Sequence, residues 1–143
     1  MEAALISRKA PMSILLGIIF DTSTKKILIA KRKNPSRITG LTWCFPGGRI
    51  EFKNAREDLD KLIKNRLKEK TGLDVESLGS VFAEAYSAEE GLLSIYYLCE
   101  ITGGKEKICD EFEEFRWVSP KEIEKHFSTS LHPNLKEYLI NLA

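Results

Sequence analysis

The sequence predicts an α/β fold in which helices cover both faces of a mixed β-sheet. Apolar runs with strand-like spacing alternate along the 143 residues with amphipathic helical stretches, as is typical of layered α/β domains. Hydrophobic residues make up 43% of the chain and charged residues 30%, which is sufficient for one core. We expect a single domain over residues 1–143, with residues 1–11 forming a flexible N-terminal segment.

The charge balance and the lengths of the apolar runs exclude several classes of protein. The chain carries 22 Lys and Arg against 21 Asp and Glu, and a net charge of +1 gives no general attraction to nucleic acid or an anionic membrane. No apolar run reaches the roughly 18 residues that a membrane span needs. The run Ile14 to Phe20 also lacks the cleavage site of a secretory signal. We expect a cytoplasmic protein, and the sequence does not decide between a monomer and a homodimer.

The first third of the chain predicts a pair of strands and a glycine-rich turn. Ser13 to Phe20 and Lys26 to Lys31 flank a polar turn and predict a hairpin or adjacent strands. Residues 34–40 are rich in turn formers and basic groups, which predicts an exposed loop. Extended structure resumes from Trp43 to Phe45 and should end at Pro46-Gly47-Gly48.

The stretch from Glu57 to Thr71 predicts the principal helix. Apolar residues recur at helical spacing and polar residues fill the other positions, so one helix face should be buried. These apolar residues are Leu59, Leu62, Ile63 and Leu67. Gly72 follows as the expected C-terminal cap, because glycine adopts the left-handed conformation without a steric penalty.

The remaining elements complete the predicted sheet and its second helical layer. Ser80 to Ser87 and Leu92 to Ile101 have the aromatic and apolar content of strands. Residues 103–105 predict a turn, and an acidic loop then leads into a short strand from Phe115 to Val118. A last helix is expected from about Asn134 to Leu142.

The glycine-rich turn and the principal helix together carry a recognisable pattern. The residues that carry it are Phe45-Pro46-Gly47-Gly48-Arg49-Ile50-Glu51, Glu57 and Leu67-Lys68-Glu69-Lys70-Thr71-Gly72-Leu73. This pattern resembles the Nudix signature, G-x5-E-x7-R-E-U-x-E-E-x-G-U with U apolar. Gly48 opens this box, and Gly72-Leu73 close it in register. The resemblance, to MutT-like members among others, implies a Nudix-like α/β/α sandwich. It also implies hydrolysis of a nucleoside diphosphate linked to another group, with Mg²⁺ or Mn²⁺ as cofactor.

The box departs from the family pattern in two places. Eight residues separate Gly48 from Glu57 where the family has five, which indicates a three-residue insertion within residues 52–56. In the helix, the family's R-E-U-x-E-E becomes Asn65-Arg66-Leu67-Lys68-Glu69-Lys70. Only one of the three family carboxylates is therefore kept.

The lost carboxylates matter because of where they stand on the helix. Positions 66, 69 and 70 share one helix face, where three carboxylates would converge on hard divalent cations that bind a diphosphate and activate water. Here that face carries Arg66, Glu69 and Lys70, so its charge changes from −3 to +1. A divalent ion about 5 Å from one of these cations would be repelled by roughly 7 kcal/mol at an effective dielectric constant near 20. We expect Mg²⁺ or Mn²⁺ binding to be weakened or relocated.

By the resemblance, a reduced metal site has four contributors. Gly47 would offer a backbone carbonyl, Glu69 and Glu111 would offer carboxylates, and Glu57 would support the metal site at the start of the helix. Glu69 and Glu111 are the candidate catalytic residues, with Glu111 or a neighbour as the general base.

The candidate substrate contacts lie on other elements. By the resemblance, Arg32 matches a position that contacts substrate phosphate in MutT-like members, and Asn134 matches one that contacts the base. Trp43 is either a core residue or a stacking surface for a nucleobase. Arg66 and Lys70 would attract the phosphates of the ligand directly.

Several of these residues also have simpler structural explanations. Glu69 can pair with Arg66 on the helix surface, and Glu57 can complement the helix dipole. Asn134 is well suited to cap the last helix. The acidic run at residues 110–114 can be a solvated loop.

Two functions follow from the sequence. The first is a Nudix-type hydrolase that works with a depleted metal site, in which Glu69 and Glu111 provide most of the coordination. The second is a catalytically inactive Nudix-fold protein that binds a nucleotide or a nucleotide sugar. The sequence does not identify the base, the sugar or the leaving group, nor does it decide whether catalysis survives the change to Arg66 and Lys70.

Overall fold

The structure is a computed structural model that describes residues 12–33, 43–50, 58–85, 92–127 and 131–142. Three sequence expectations lie outside these residues: the N-terminal segment 1–11, the loop at 34–40, and the insertion with Glu57 within 51–57. In the described part of the chain, no helix combines the length and the apolarity that are needed to span a membrane.

The described residues form seven strands, three helices and one 3₁₀ turn. The strands are β1 (Met12–Asp21), β2 (Lys26–Arg32), β3 (Trp43–Cys44), β4 (Gly47–Ile50), β5 (Leu73–Ala85), β6 (Leu92–Gly104) and β7 (Phe112–Val118). The helices are α1 (Leu59–Thr71), α2 (Ile123–His126) and α3 (Pro133–Asn141), and the 3₁₀ turn Pro120–Glu122 leads into α2.

The seven strands form one mixed sheet. Its main path runs β3-β2-β1-β6-β5, while β4 pairs with β1 and β7 pairs with β2. The β1–β6 pairing is parallel and the other pairings are antiparallel. The α/β fold with a mixed sheet that the sequence predicts is confirmed.

The strands β1 and β2 pair only near their shared turn, where Phe20 faces Ile27 and Asp21 faces Lys26. Beyond that point each strand takes a new neighbour, since β3 joins β2 and β4 joins β1. The backbone N–H of Gly17 in β1 donates a hydrogen bond to the carbonyl of Pro46, with an N···O distance of 2.8 Å. The turn between β3 and β4 is therefore fixed between the two diverging strands.

Helices cover both faces of the sheet, and alternate residues of β1 serve the two sides. Leu15 and Ile19 pack in the cluster beneath α1, whereas Ile18 and Phe20 pack in the cluster beneath α2 and α3. The α1 side contains Ile63 and Leu67 of the helix with Leu28, Val75, Tyr97 and Cys99 of the sheet. The opposite side contains Ile123, Leu135 and Leu139 of the helices with Ile27, Ile29 and Val118 of the sheet.

Helix α1 is fixed at both ends and lies close to β1. The carboxylate of Asp58 accepts hydrogen bonds from the backbone N–H groups of Asp60 and Lys61, at 3.1 and 3.3 Å. Gly72 closes the helix with φ 80°, which confirms the C-terminal cap expected from the sequence. A Cβ at Gly17 would lie 2.5 Å from Leu67 Cδ1, so the helix approaches the sheet at a position that lacks a side chain.

Removal of the N-terminal cap should weaken this helix measurably. In Asp58→Ala the first backbone N–H groups of α1 lose their side-chain acceptor, and we expect the free energy of unfolding to fall by about 1 kcal/mol. Urea denaturation followed by circular dichroism measures this change. Asp58→Asn keeps an acceptor oxygen and should lose only a small part of it. An equal loss in both variants would show that the charge of Asp58, rather than its hydrogen bonds, supports the helix.

The sequence placed three strand boundaries wrongly. Strand β5 begins at Leu73 rather than Ser80, directly after the helix cap, and residues 103 and 104 pair with it instead of forming a turn. The register of β5 shifts between Ser77 and Ser80, and Gly79 has φ 106°, so the alternating pattern is interrupted there. Strand β7 begins at Phe112, which places part of the acidic run in the sheet.

Strand β4 was not predicted from the sequence. Residues 46–48 predict a break, but Gly47 to Ile50 pair with Leu16 to Ser13 of β1. Glycines carry no side-chain pattern that distinguishes a strand from a turn. This pairing therefore depends on the backbone of β1, which lies far away in the sequence.

Candidate functional site

The site is built around the glycine pair at the start of β4. Gly47 has φ 155°, and a Cβ there would overlap the carbonyl oxygen of Leu15 and lie 2.9 Å from Leu16 Cα. A Cβ at Gly48 would instead lie 3.8 Å from both Arg66 Cδ and Lys70 Cε. The side chains of Arg66 and Lys70 therefore extend from α1 over the glycine turn, between the helix and β4. This surface, together with Arg32 and Glu111, is called the cleft below.

Arg66 is held by one hydrogen bond and one ion pair. Its Nη2 donates to the carbonyl oxygen of Arg49 at 2.9 Å, and its Nη1 lies 3.8 Å from Glu69 Oε2. The side chain of Glu69 is 65% exposed, which makes this a surface ion pair of small energetic value. The pair that the sequence offers as the simpler role of Glu69 is thus present in the structure.

Glu111 lies between two cations from different elements. Its Oε2 forms an ion pair with Lys70 Nζ of α1, and its Oε1 lies 3.7 Å from Arg32 Nη1 at the end of β2. The side chains of Lys70 and Glu111 are 21% and 34% exposed, so this group is partly shielded from water. The carbonyl oxygen of Glu111 also accepts a hydrogen bond from the backbone N–H of Lys33, at 3.0 Å.

Cys44 is buried beside the ion cluster of Arg32, Lys70 and Glu111. Burial raises the pKa of the Cys44 thiol, the positive charge of Arg32 opposes that rise, and the negative charge of Glu111 adds to it. Cys44 packs with Ala30 and Phe112, which are also buried. A hydrogen bond from the Arg32 side chain also lowers the pKa of Cys44, while the buried Nε of Arg32 has no partner at hydrogen-bond geometry within the described residues.

The carboxylates described here do not fit a divalent cation. Glu69 is paired with Arg66, and Glu111 is shared by Lys70 and Arg32. No group of three or more His, Cys, Asp or Glu side chains in the described ranges is placed to hold a metal ion. Among the described residues here, three positive and two negative side chains add up to a net charge of +1. Of the four metal contributors implied by the resemblance, Glu57 lies outside the described residues.

Trp43 lies on the other side of the sheet from this cleft. Its side chain packs with the cluster beneath α2 and α3. The guanidinium of Arg116 lies 4.8 Å from the centre of its ring, and the ring of His126 meets it edge-on at 5.7 Å. Glu114 accepts a hydrogen bond from Arg116 at 2.7 Å. One face of the Trp43 ring is therefore already covered by Arg116.

Asn134 is exposed near the start of α3, but it is not the helix cap. The cap is His132, whose Nδ1 accepts a hydrogen bond from the backbone N–H of Asn134 at 3.1 Å. The expectation that Asn134 caps the helix is wrong, because Pro133 has a fixed φ that suits the first helical position and moves the cap back to residue 132. The base contact implied for Asn134 stays a prediction.

The structure brings together four of the sequence candidates and separates two. Arg32, Glu111, Lys70 and Arg66 meet on the α1 side of the sheet, with Glu69 at their edge. Trp43 and Asn134 belong to the opposite side. Neither Cys44 nor Arg116 was among the site residues predicted from the sequence. Strand alternation would have placed Cys44 beside Arg32 only if the β2–β3 register had been known.

Comparisons with known proteins agree with this architecture. The sequence model of the NUDIX domain matches residues 12–140. No curated protein sequence gives a significant match. Many solved structures do match the fold, and three of them are described next.

The three structures share the fold at low sequence identity. A MutT protein from Methanosarcina mazei is 19% identical, with a TM-score of 0.66 and 94% of each chain covered. An ADP-ribose pyrophosphatase from Streptococcus suis is 21% identical, with a TM-score of 0.62, 93% of this chain covered and 89% of that one. A NUDIX hydrolase from Nitrosomonas europaea is 19% identical, with a TM-score of 0.72 and coverages of 90% and 70%.

Proposed function

The chain belongs to the NUDIX domain family, and we propose that it binds the phosphate groups of a nucleotide-type ligand directly through cationic side chains, without a divalent metal. The cations are Arg32, Arg66 and Lys70. The observation that supports this proposal most strongly is the position of Arg66 and Lys70 over Gly48. Family members whose boxes carry carboxylates at these two helix positions present negative charge there.

The electrostatics of the cleft favour an anion. One cation and one unit of negative charge about 4 Å apart attract by about 4 kcal/mol at an effective dielectric constant near 20, before screening by salt. A diphosphate at this place would be attracted by all three cations, Arg66, Lys70 and Arg32. A divalent cation at the same place would be repelled by all three and attracted only by Glu69 and Glu111, which are already paired with them. Binding of this kind should weaken steeply as the salt concentration rises.

Metal-dependent hydrolysis is the second candidate. It is favoured by the position of Glu111, whose carboxylate lies in the cleft close to the helix of the box. In that case Glu69 and Glu111 would be the candidate catalytic residues, together with Glu57. This candidate requires both described carboxylates to leave the cations that now hold them.

A binding and turnover panel separates the two candidates. Isothermal titration calorimetry with nucleoside diphosphates, nucleoside triphosphates, sugar nucleotides and ADP-ribose is carried out first in EDTA and then in Mg²⁺ or Mn²⁺, with turnover followed by chromatography. We expect binding in EDTA that weakens with salt, and no turnover. Turnover that requires metal and disappears in Glu69→Gln would overturn the proposal and support the hydrolase. Absence of binding in EDTA across the panel would also overturn it.

A further inference from the structure

Glu111 occupies the place between Lys70 and Arg32 where an incoming anion would be held most strongly. Each of its two carboxylate oxygens faces a different cation, Oε2 towards Lys70 and Oε1 towards Arg32. Two oxygens of one phosphoryl group could face the same two cations. The carboxylate therefore has the charge and the shape of a small part of the ligand proposed above.

We infer that Glu111 is an internal competitor: its carboxylate holds the phosphate position in the free protein and leaves it when a ligand phosphate binds. The inference rests on the proposed function, because it assumes that phosphate reaches Lys70 and Arg32. It goes beyond that function by assigning one position in the cleft to a phosphoryl group. It also gives Glu111 a role other than metal ligand or base.

The contacts of Glu111 allow the carboxylate to move while its backbone stays in place. The backbone is tied to β2 by the hydrogen bond from the N–H of Lys33. The carboxylate itself is held by ion pairs, one of them as long as 3.7 Å, and its side chain is 34% exposed. The Glu111 carboxylate and the Arg32 guanidinium are joined by an ion pair of 3.7 Å rather than by a hydrogen bond. Rotation of the Glu111 side chain towards water would vacate the position without disturbing the sheet.

The consequence is a measurable reduction of ligand affinity. A tethered carboxylate competes without losing translational freedom, so it acts at a high effective concentration. When a competent state is only a fraction of the population, the apparent dissociation constant rises by the inverse of that fraction. If the Glu111 carboxylate fills the phosphate position in about nine of ten molecules, removal of its charge should lower the apparent dissociation constant of the ligand about tenfold.

The experiment compares Glu111→Gln with a matched control. Glu113→Gln removes a carboxylate of the same strand region, one that pairs with Lys31 at 3.1 Å instead of with the cleft cations. Both variants and the native protein are titrated calorimetrically with ADP and with inorganic pyrophosphate in EDTA. We expect Glu111→Gln to bind both ligands about tenfold more tightly and Glu113→Gln to stay within about twofold of the native protein.

A second measurement uses the native protein and does not depend on the variant. The carboxyl ¹³C signal of Glu111 should move on saturation with ADP, because the carboxylate exchanges two cations for water. An unchanged signal at saturation would overturn the inference. So would an affinity of Glu111→Gln that equals or falls below that of the native protein, and in that case the proposed function would still stand. If neither the native protein nor Glu111→Gln binds ADP or pyrophosphate, the proposed function itself fails.

Discussion

Arg66→Glu/Lys70→Glu should lose metal-independent binding of nucleotide by a factor of about one hundred or more. The double variant replaces two attractive side chains by two repulsive ones at the glycine turn, and each unit interaction is worth about 4 kcal/mol at 4 Å before screening. Its helix face then carries three carboxylates at positions 66, 69 and 70, as the Nudix signature does. Calorimetric titration with ADP in EDTA measures the loss. Titration with Mn²⁺ should show a gain in metal affinity.

The matched control reverses the charge of two other lysines on the same helix. Lys61→Glu/Lys64→Glu changes the net charge by the same amount, but both lysines are exposed and lie away from the cleft, on the helix surface near Glu76. We expect its affinity for ADP to stay within a few-fold of the native value, since distant exposed charges are screened by salt. An equal loss in both double variants would show that a general field, and not the cleft, attracts the ligand.

Gly47→Ala should lower the free energy of unfolding by about 3 kcal/mol or more. Its methyl group would overlap the carbonyl oxygen of Leu15, and its φ of 155° is one that residues with a side chain rarely adopt. Neither backbone can move away easily, because Gly47 and Leu16 are register partners in the β1–β4 pairing. Chemical denaturation measures the effect, and the variant should also lose ligand binding because β4 forms one wall of the cleft.

Gly48→Ala is the matched control for this second prediction. A methyl group there would meet Arg66 Cδ and Lys70 Cε at 3.8 Å, which is an ordinary van der Waals distance. We expect a change in stability of less than about 1 kcal/mol. If Gly48→Ala destabilised the protein as much as Gly47→Ala, the close approach of β4 to β1 would not be the reason for the glycine at position 47.

Local patterns in the sequence were enough to predict the fold class and the principal helix. The helical spacing of Leu59 to Leu67 and the glycine at position 72 act over only a few residues, and both were predicted correctly. The boundaries that failed depend on distant partners. Strand β4 exists because β1 pairs with it, and the start of β5 is defined by the end of β6.

The sequence by itself determined which charges stand on the face of α1. Helix geometry places residues 66, 69 and 70 together whatever surrounds them, so the exchange of two acids for Arg66 and Lys70 could be recognised without a structure. Only the tertiary structure decided which groups those charges meet. Glu111, in the turn before β7, pairs with both Lys70 of α1 and Arg32 of β2, and Trp43 turns to the opposite face, because strand pairing joins residues that are far apart in the chain.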